Sequence, residues 1–210
     1  VGVAYTYREP GVAGPPEDGG RPGLAGRSTT EVLRCLESDD GLERSAALAV
    51  ANAIVNRNIG GEREGDLLHF LSVGFLDRVA MVGYFGPLVA PLQKRVRELV
   101  IFERGQHEMA GVLPAEQALE ELPRCDVALI TASALVFSDL DSLLEAAAKC
   151  REVAVVGPST PLVPAVFAPH GVTLLSGVVA DDARAVLRVV SEGGGTQAFG
   201  PAMRKVNLRP

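Results

Sequence analysis

Five short, unbroken apolar runs limit what this chain can fold into more than any other feature: Val79–Val82, Leu99–Phe102, Val127–Thr131, Val153–Val156 and Val172–Leu175. A strand with one wet face alternates apolar and polar residues. A run that stays apolar suits a strand covered on both faces, as in a parallel sheet. Between the runs lie stretches with helical signals, Pro87–Val96, Pro114–Leu122, Asp139–Lys149 and Pro161–Phe167, and Asp182–Ser191 follows the last run. Strands alternating with helices predict a doubly wound, Rossmann-like parallel sheet with right-handed crossovers. Ser138-Asp139-Leu140-Asp141 reads as a capping signature, and Thr160-Pro161 reads as an N-cap followed by proline at the first helical position.

The front of the chain has a different texture. A short strand is expected over Val1–Tyr7, followed by a segment to residue 27 with too many glycines and prolines for a helix. Ser28-Thr29-Thr30-Glu31 is a capping box, and Asp40-Gly41-Leu42-Glu43 repeats the signature with Asp as cap. The alanine-rich helix expected over 41–57 is apolar nearly all round and so belongs in a core. These features divide the chain into an α+β module over 1–75 and a Rossmann-like α/β domain over 76–210, each with apolar residues enough for a core at 47% hydrophobic composition.

Composition also excludes partners. The net charge is −6 and no basic face stands out, which argues against nucleic acid, because phosphate contacts need clustered Lys and Arg. No apolar run is long enough to span a bilayer, so no membrane partner is expected. No signal-peptide pattern is present, and a first residue of Val rather than Met reads as a missing true N-terminus. Cys35, Cys125 and Cys150 are far apart in sequence, which predicts neither a disulfide framework nor a zinc cage; the expected compartment is the cytoplasm. A homodimer is expected only as the commonest closed assembly.

In an open parallel sheet, ligands bind beyond the carboxyl ends of the strands. Here those ends read Gly83-Tyr84-Phe85-Gly86, Glu103-Arg104, Thr131-Ala132-Ser133-Ala134, Gly157-Pro158-Ser159-Thr160 and Ser176-Gly177. Glycines at the first end let backbone approach a ligand at a helix start. The carboxylate of Glu103, twenty residues on, is placed to take a hydroxyl or amine. Thr131, Ser133, Ser159 and Thr160 supply hydroxyls, although Thr160 serves equally as a helix cap. Arg104 suits a phosphate or carboxylate, or a neighbouring Glu. On the buried helix, Ser45, Asn52 and Asn56 share one face, and a buried amide left unpaired costs roughly 1–3 kcal/mol. Asn52 and Asn56 therefore either hold neighbouring backbone or line a cleft between the two modules. For metal, Glu103, His107 and Glu108 are the compact group of candidate ligands; no paired-histidine motif accompanies them. No Ser-His-Asp or Cys-His constellation can be assembled, and whether the chain is an enzyme stays open.

Several stretches together resemble a known family: Val82-Gly83-Tyr84-Phe85 with Pro87-Leu88-Val89, Phe102-Glu103-Arg104, Cys125 to Thr131 with Ala134-Leu135, Gly157-Pro158-Ser159-Thr160-Pro161-Leu162, and Glu192-Gly193-Gly194-Gly195 with Lys205-Val206-Asn207. Over roughly residues 28–207 the chain is similar to a bacterial and archaeal family labelled "putative heavy-metal chelation". The resemblance implies an N-terminal part like that of enolases, an atypical Rossmann domain behind it, and a site between the two. It also implies an Asn-Gly pair after the third strand, where this chain has Phe137-Ser138 and so cannot make the amide's hydrogen bonds.

The leading expectation is a protein that binds a small molecule or metal chelate in the interdomain cleft, with a divalent heavy metal as the associated cofactor. Gly83, Tyr84, Phe85, Gly86, Glu103, Thr131, Ser133, Ser159 and Thr160 form one wall, Asn52 and Asn56 the other, and Glu103 with His107 are the metal candidates. The alternatives are a nucleotide- or S-adenosylmethionine-using enzyme such as a transferase, and a non-catalytic scaffold subunit.

Overall fold

A computed structural model describes residues 1–6, 23–24, 26–57, 59–105 and 110–210 of the chain. The eight helices among them are α1 (Thr29–Arg34), α2 (Gly41–Val55), α3 (Gly86–Gln93), α4 (Ala118–Glu121), α5 (Ala134–Phe137), α6 (Leu140–Ala146), α7 (Pro164–Phe167) and α8 (Ala183–Ser191). The strands are β1 (Arg63–Glu64), β2 (Arg78–Val82), β3 (Glu98–Glu103), β4 (Val112–Pro114), β5 (Val127–Thr131), β6 (Glu152–Val156), β7 (Leu174–Ala180) and β8 (Met203–Leu208). They form one sheet in the order β1-β8-β7-β6-β5-β2-β3-β4. From β7 to β4 every pairing is parallel; β8 is antiparallel to β7, and β1 to β8. The six parallel strands follow the order of dinucleotide-binding domains, with the reversal of direction falling between β2 and β5.

The apolar runs become strands because both of their faces are covered. Successive side chains of a strand point to opposite sides. Val79, Met81, Ile101, Val127 and Leu129 pack on one side with Leu88 and Leu92 of α3 and with Leu67 and Leu71. Ala80, Val82, Val100, Phe102, Ala128 and Ile130 pack on the other with Ala118 of α4, Leu143 and Leu144 of α6, and Phe167 of α7. Val79, Met81, Val127, Leu129, Ile130 and Phe102 are inaccessible to solvent. Burial of this kind contributes about 1.5–3 kcal/mol per large side chain before conformational entropy is set against it.

Two expected caps form as read. Ser28 and Glu31 complete a capping box at α1, and the Asp40 side chain accepts from Leu42 N and Glu43 N at α2. Others do not. Ser138 adopts a left-handed conformation (φ 59°), and Asp139 precedes α6 without capping it. Thr160 caps nothing, because α7 starts only at Pro164; its hydroxyl donates to Ser176 O (3.0 Å). The last expected run starts later and runs further than its apolar stretch suggested, since β7 continues to Ala180 against β8. Ser176 and Gly177 therefore sit inside a strand and not at its end.

No strand forms over residues 1–6, the described part of the strand expected there. That segment instead lies across α2. A Cβ on Gly2 would stand 2.2 Å from both Ala49 O and Ala53 N, so a side chain at this position is excluded by the helix backbone. The two-residue strand β1 joins the main sheet through β8.

Candidate functional site

The strand reversal between β2 and β5 leaves a gap in the helical cover at the carboxyl ends, and a cavity of about 510 Å³ occupies it. Most of its lining comes from four strand ends: Val82–Phe85 after β2, Phe102–Arg104 after β3, Thr131, Ser133 and Ala134 at β5, and Val156–Ser159 after β6. The geometry of the first end depends on Gly83. Its φ is +94°, a region L side chains rarely adopt, and a Cβ there would come within 2.8 Å of the Thr131 Cβ. The glycine thus lets β2 turn directly over the side chain of β5.

Glu103 fixes the same turn from the neighbouring strand. One carboxylate oxygen accepts from Tyr84 N (2.6 Å) and the other from Arg104 N (2.7 Å). Charge-assisted bonds of this length are among the stronger hydrogen bonds in proteins. Thr131 Oγ1 and Ser133 Oγ lie 2.9 Å apart, and Ser133 N donates to Thr131 Oγ1 (3.3 Å). Ser159 is buried, and its hydroxyl oxygen accepts from Tyr5 N (2.8 Å). Tyr5 is thereby held at the cavity mouth, where its ring lies 6.4 Å from that of Phe137. Arg104 stacks over Phe137, 4.4 Å from the ring centre, and pairs with Asp139. Among the described residues, the cavity wall thus carries the carboxylates of Glu103, Glu116 and Asp139 and the guanidinium of Arg104.

Of the residues expected from sequence, Gly83, Tyr84, Phe85, Glu103, Thr131, Ser133 and Ser159 line this cavity. Gly86, the first residue of α3, lies behind Tyr84 and does not. Thr160 is fully buried beneath the rim. Asn52 and Asn56 are buried and turn toward backbone, not toward the cavity. Asn52 Nδ2 donates to Val3 O (2.9 Å) and Ser159 O (3.0 Å). Asn56 Nδ2 donates to Thr160 O (2.8 Å), and its amide oxygen accepts from Leu162 N (2.8 Å). The two amides clamp the loop after β6 onto α2. His107 and Glu108 lie outside the described residues.

Tyr5, Asp139 and Ser142 line the cavity without having been expected there. The Tyr5–Ser159 bond spans 154 residues, a separation that no local pattern signals. Among the described residues, no three of His, Cys, Asp and Glu converge as metal ligands, and no helix is long and apolar enough to cross a membrane.

Residues 66–209 match the family model DUF364, described as "Putative heavy-metal chelation", and residues 1–55 match a second model, DUF4213, of the same description. An uncharacterized protein of Methanocaldococcus jannaschii is 25% identical over 188 residues, which is 87% of this chain and 72% of that one. A DUF364-family protein of unknown function from Pyrococcus horikoshii has a crystal structure that superposes with a TM-score of 0.81 at 21% identity, over 90% of this chain and 78% of its own. A second, from Desulfitobacterium hafniense, gives a TM-score of 0.75 at 29% identity, over 87% and 74%.

Proposed function

Since the chain belongs to the family described as "Putative heavy-metal chelation", we propose that its strand-end cavity binds a metal already held in a small organic chelate, rather than a bare ion. The observation that carries this reading is the character of the cavity wall. Tyr5, Tyr84, Phe85, Phe137, Leu119 and Pro158 offer flat or apolar surface to an organic ligand. Among the described residues, three carboxylates against one guanidinium favour a cationic or neutral occupant over an anionic one. Thr131 and Ser133 offer hydroxyls at the floor, suited to a few orienting hydrogen bonds. Glu103 holds the Gly83–Tyr84 turn in place, so its part is to shape the wall and add charge to it. Asn52 and Asn56 act one step behind, by seating the Ser159 loop and the segment that carries Tyr5.

A second reading, an enzyme using a nucleotide or S-adenosylmethionine, draws on the strand order and on the glycine turn facing an acidic strand end. Against it, both oxygens of Glu103 already accept backbone N–H groups, where a ribose would need that carboxylate.

Thermal unfolding with added ligand separates the two, because a ligand that binds only the folded state raises Tm by mass action. The probes are Cu(II) or Ni(II) alone, histidine or phenanthroline alone, the preformed complexes, and adenosine, NAD and S-adenosylmethionine. The expected outcome is a rise with the complexes only, abolished in Ser133→Trp, whose indole fills the cavity floor. A rise with adenosine compounds alone would transfer the assignment to the second reading, and an equal rise with free metal would refute the chelate.

A further inference from the structure

A pair of thiols stands at the opposite end of the sheet, in register with each other. Val127 of β5 pairs with Glu152 of β6, and one step earlier Arg151 N donates to Asp126 O (2.9 Å). The same register carried back one more residue sets Cys125 beside Cys150. Each cysteine closes a 3-10 turn at the entry to its strand, Leu122–Arg124 before Cys125 and Ala147–Lys149 before Cys150. Both sulfurs turn to the same side. Cys125 Sγ lies 3.3 Å from Glu121 O, and Cys150 Sγ lies 3.6 Å from Leu122 O and 3.3 Å from Cys125 O. Cys125 is buried and Cys150 is half-buried, so the pair is reached from the Cys150 side.

We infer that Cys125 and Cys150 form a two-thiolate site for a soft, thiophilic centre such as Hg(II), Cu(I) or a trivalent arsenical. The site stands independently of the strand-end cavity and of the reading given to it. Soft ions prefer thiolate sulfur and accept low coordination numbers. Neighbouring strands lie about 4.8 Å apart, so one centre with bonds to sulfur of about 2.3 Å can reach both thiolates.

The surroundings keep both thiols protonated until a centre displaces the protons. Burial, then the neighbouring Cys125 and Asp126, push the Cys150 thiol up to about 11. Burial likewise pushes Cys125 up, against the pull of Arg78, whose guanidinium lies 3.7 Å from its sulfur. Protonated thiols react sluggishly with one-point electrophiles. A centre that takes both sulfurs at once displaces both protons and gains from their fixed spacing.

The probe is phenylarsine oxide, added to the folded, reduced protein. Two As–S bonds form, two S–H bonds break, and the arsenic-bound oxygen leaves with both protons as water, with no change of oxidation state. Mass spectrometry is expected to show one phenylarsine per chain that survives excess monothiol and is removed by a dithiol. Peptide mapping is expected to place it across Cys125 and Cys150. Cys35→Ser keeps the adduct, while Cys125→Ala and Cys150→Ser each lose it to monothiol. A native wild-type protein that takes up no arsenical, while the urea-unfolded chain does, would overturn the site. So would an adduct bridging Cys35, or one that Cys150→Ser retains with its thermal transition intact.

Discussion

The two ends of this one sheet use charge in opposite ways. Where the parallel strands begin, nearly every charge is matched to structure. Arg78 spans Glu98 (2.8 Å) and Glu121 (2.7 Å), while its backbone N–H is held by Asp126 (2.7 Å). Asp77 takes Gly74 N (2.6 Å) and Arg151 (2.5 Å), and the buried Glu152 takes Ser72 N (3.2 Å) and Arg209 (3.2 Å). Where the strands end, the backbone turns on a positive-φ glycine, hydroxyls face a cavity, and the Arg104–Asp139 pair is open to water. The sheet core between the two ends is the same. The difference teaches that dense ion pairing and an open, hydroxyl-bearing cavity rim can sit on a single strand, five or six residues apart.

The sharpest way to break that comparison is to remove one arginine from each end. The Arg78 side chain is only 16% exposed, and its loss leaves Glu121 with Arg124 alone and removes the charged partner of the half-exposed Glu98. Arg78→Met is expected to cost about 1.5–3 kcal/mol, the range for hydrogen bonds to charged groups, seen as a lowered midpoint in urea unfolding. Arg104→Met removes a pair that is 45% and 34% exposed and is expected to cost under about 1 kcal/mol. Equal losses would mean that both ends are structural and that the cavity end has no special status.

Next in size is a pH effect confined to the strand-start end. Burial raises the Asp77 carboxyl, but hydrogen bonds from Arg151 and from Gly74 N outweigh it and hold the group below the usual carboxylate range. A carboxyl whose folded pKa is depressed stabilises above its unfolded pKa of about 3.9, and that stability is lost as pH falls through the lowered folded value. Asp77→Asn is therefore expected to lose about 1–2 kcal/mol at neutral pH. Its stability curve should converge on the wild type as the solution is acidified below pH 4. Parallel curves across the acid range would show that another carboxylate governs acid unfolding.

The comparison also explains what could be read from sequence. The five central strands were legible because burial on both faces writes an uninterrupted apolar run, and the reversal between β2 and β5 then places the carboxyl rim. Gly83 and Glu103 were legible for the same reason, as a turn and a charge at known strand ends. β8 was not, since Met203–Leu208 mixes Arg, Lys and Asn with apolar residues, and Asn207 is buried only because it reaches Arg63 O and Gly65 O across the chain. Thr160-Pro161 misled because a second proline, Pro164, starts the helix three residues later. Asn52 and Asn56 were rightly read as needing partners, but helix periodicity cannot say whether a buried amide meets a ligand or a loop. Tyr5 carried no signal, because its own contacts, with Ser159 and Phe137, lie more than a hundred residues away.

The smallest expected effect lies at the cavity mouth, at the position where the resemblance implied an asparagine. Phe137 gives its ring face to Arg104 and tilts against Tyr5, so it ties two charged or aromatic neighbours to one edge of the cavity. A partly exposed cation–π contact is worth about 0.5–1 kcal/mol. Phe137→Asn is expected to cost no more than about that in stability, because the residue is half-buried and the sheet core does not rest on it. Its effect on binding should be larger, since it removes apolar wall and frees Arg104 to pair with Asp139 alone. The measurement is the Tm of the variant with and without the chelate probes: an almost unchanged baseline with a diminished ligand shift keeps stability and recognition apart, and a large fall in the baseline would show that this edge of the cavity carries structural load after all.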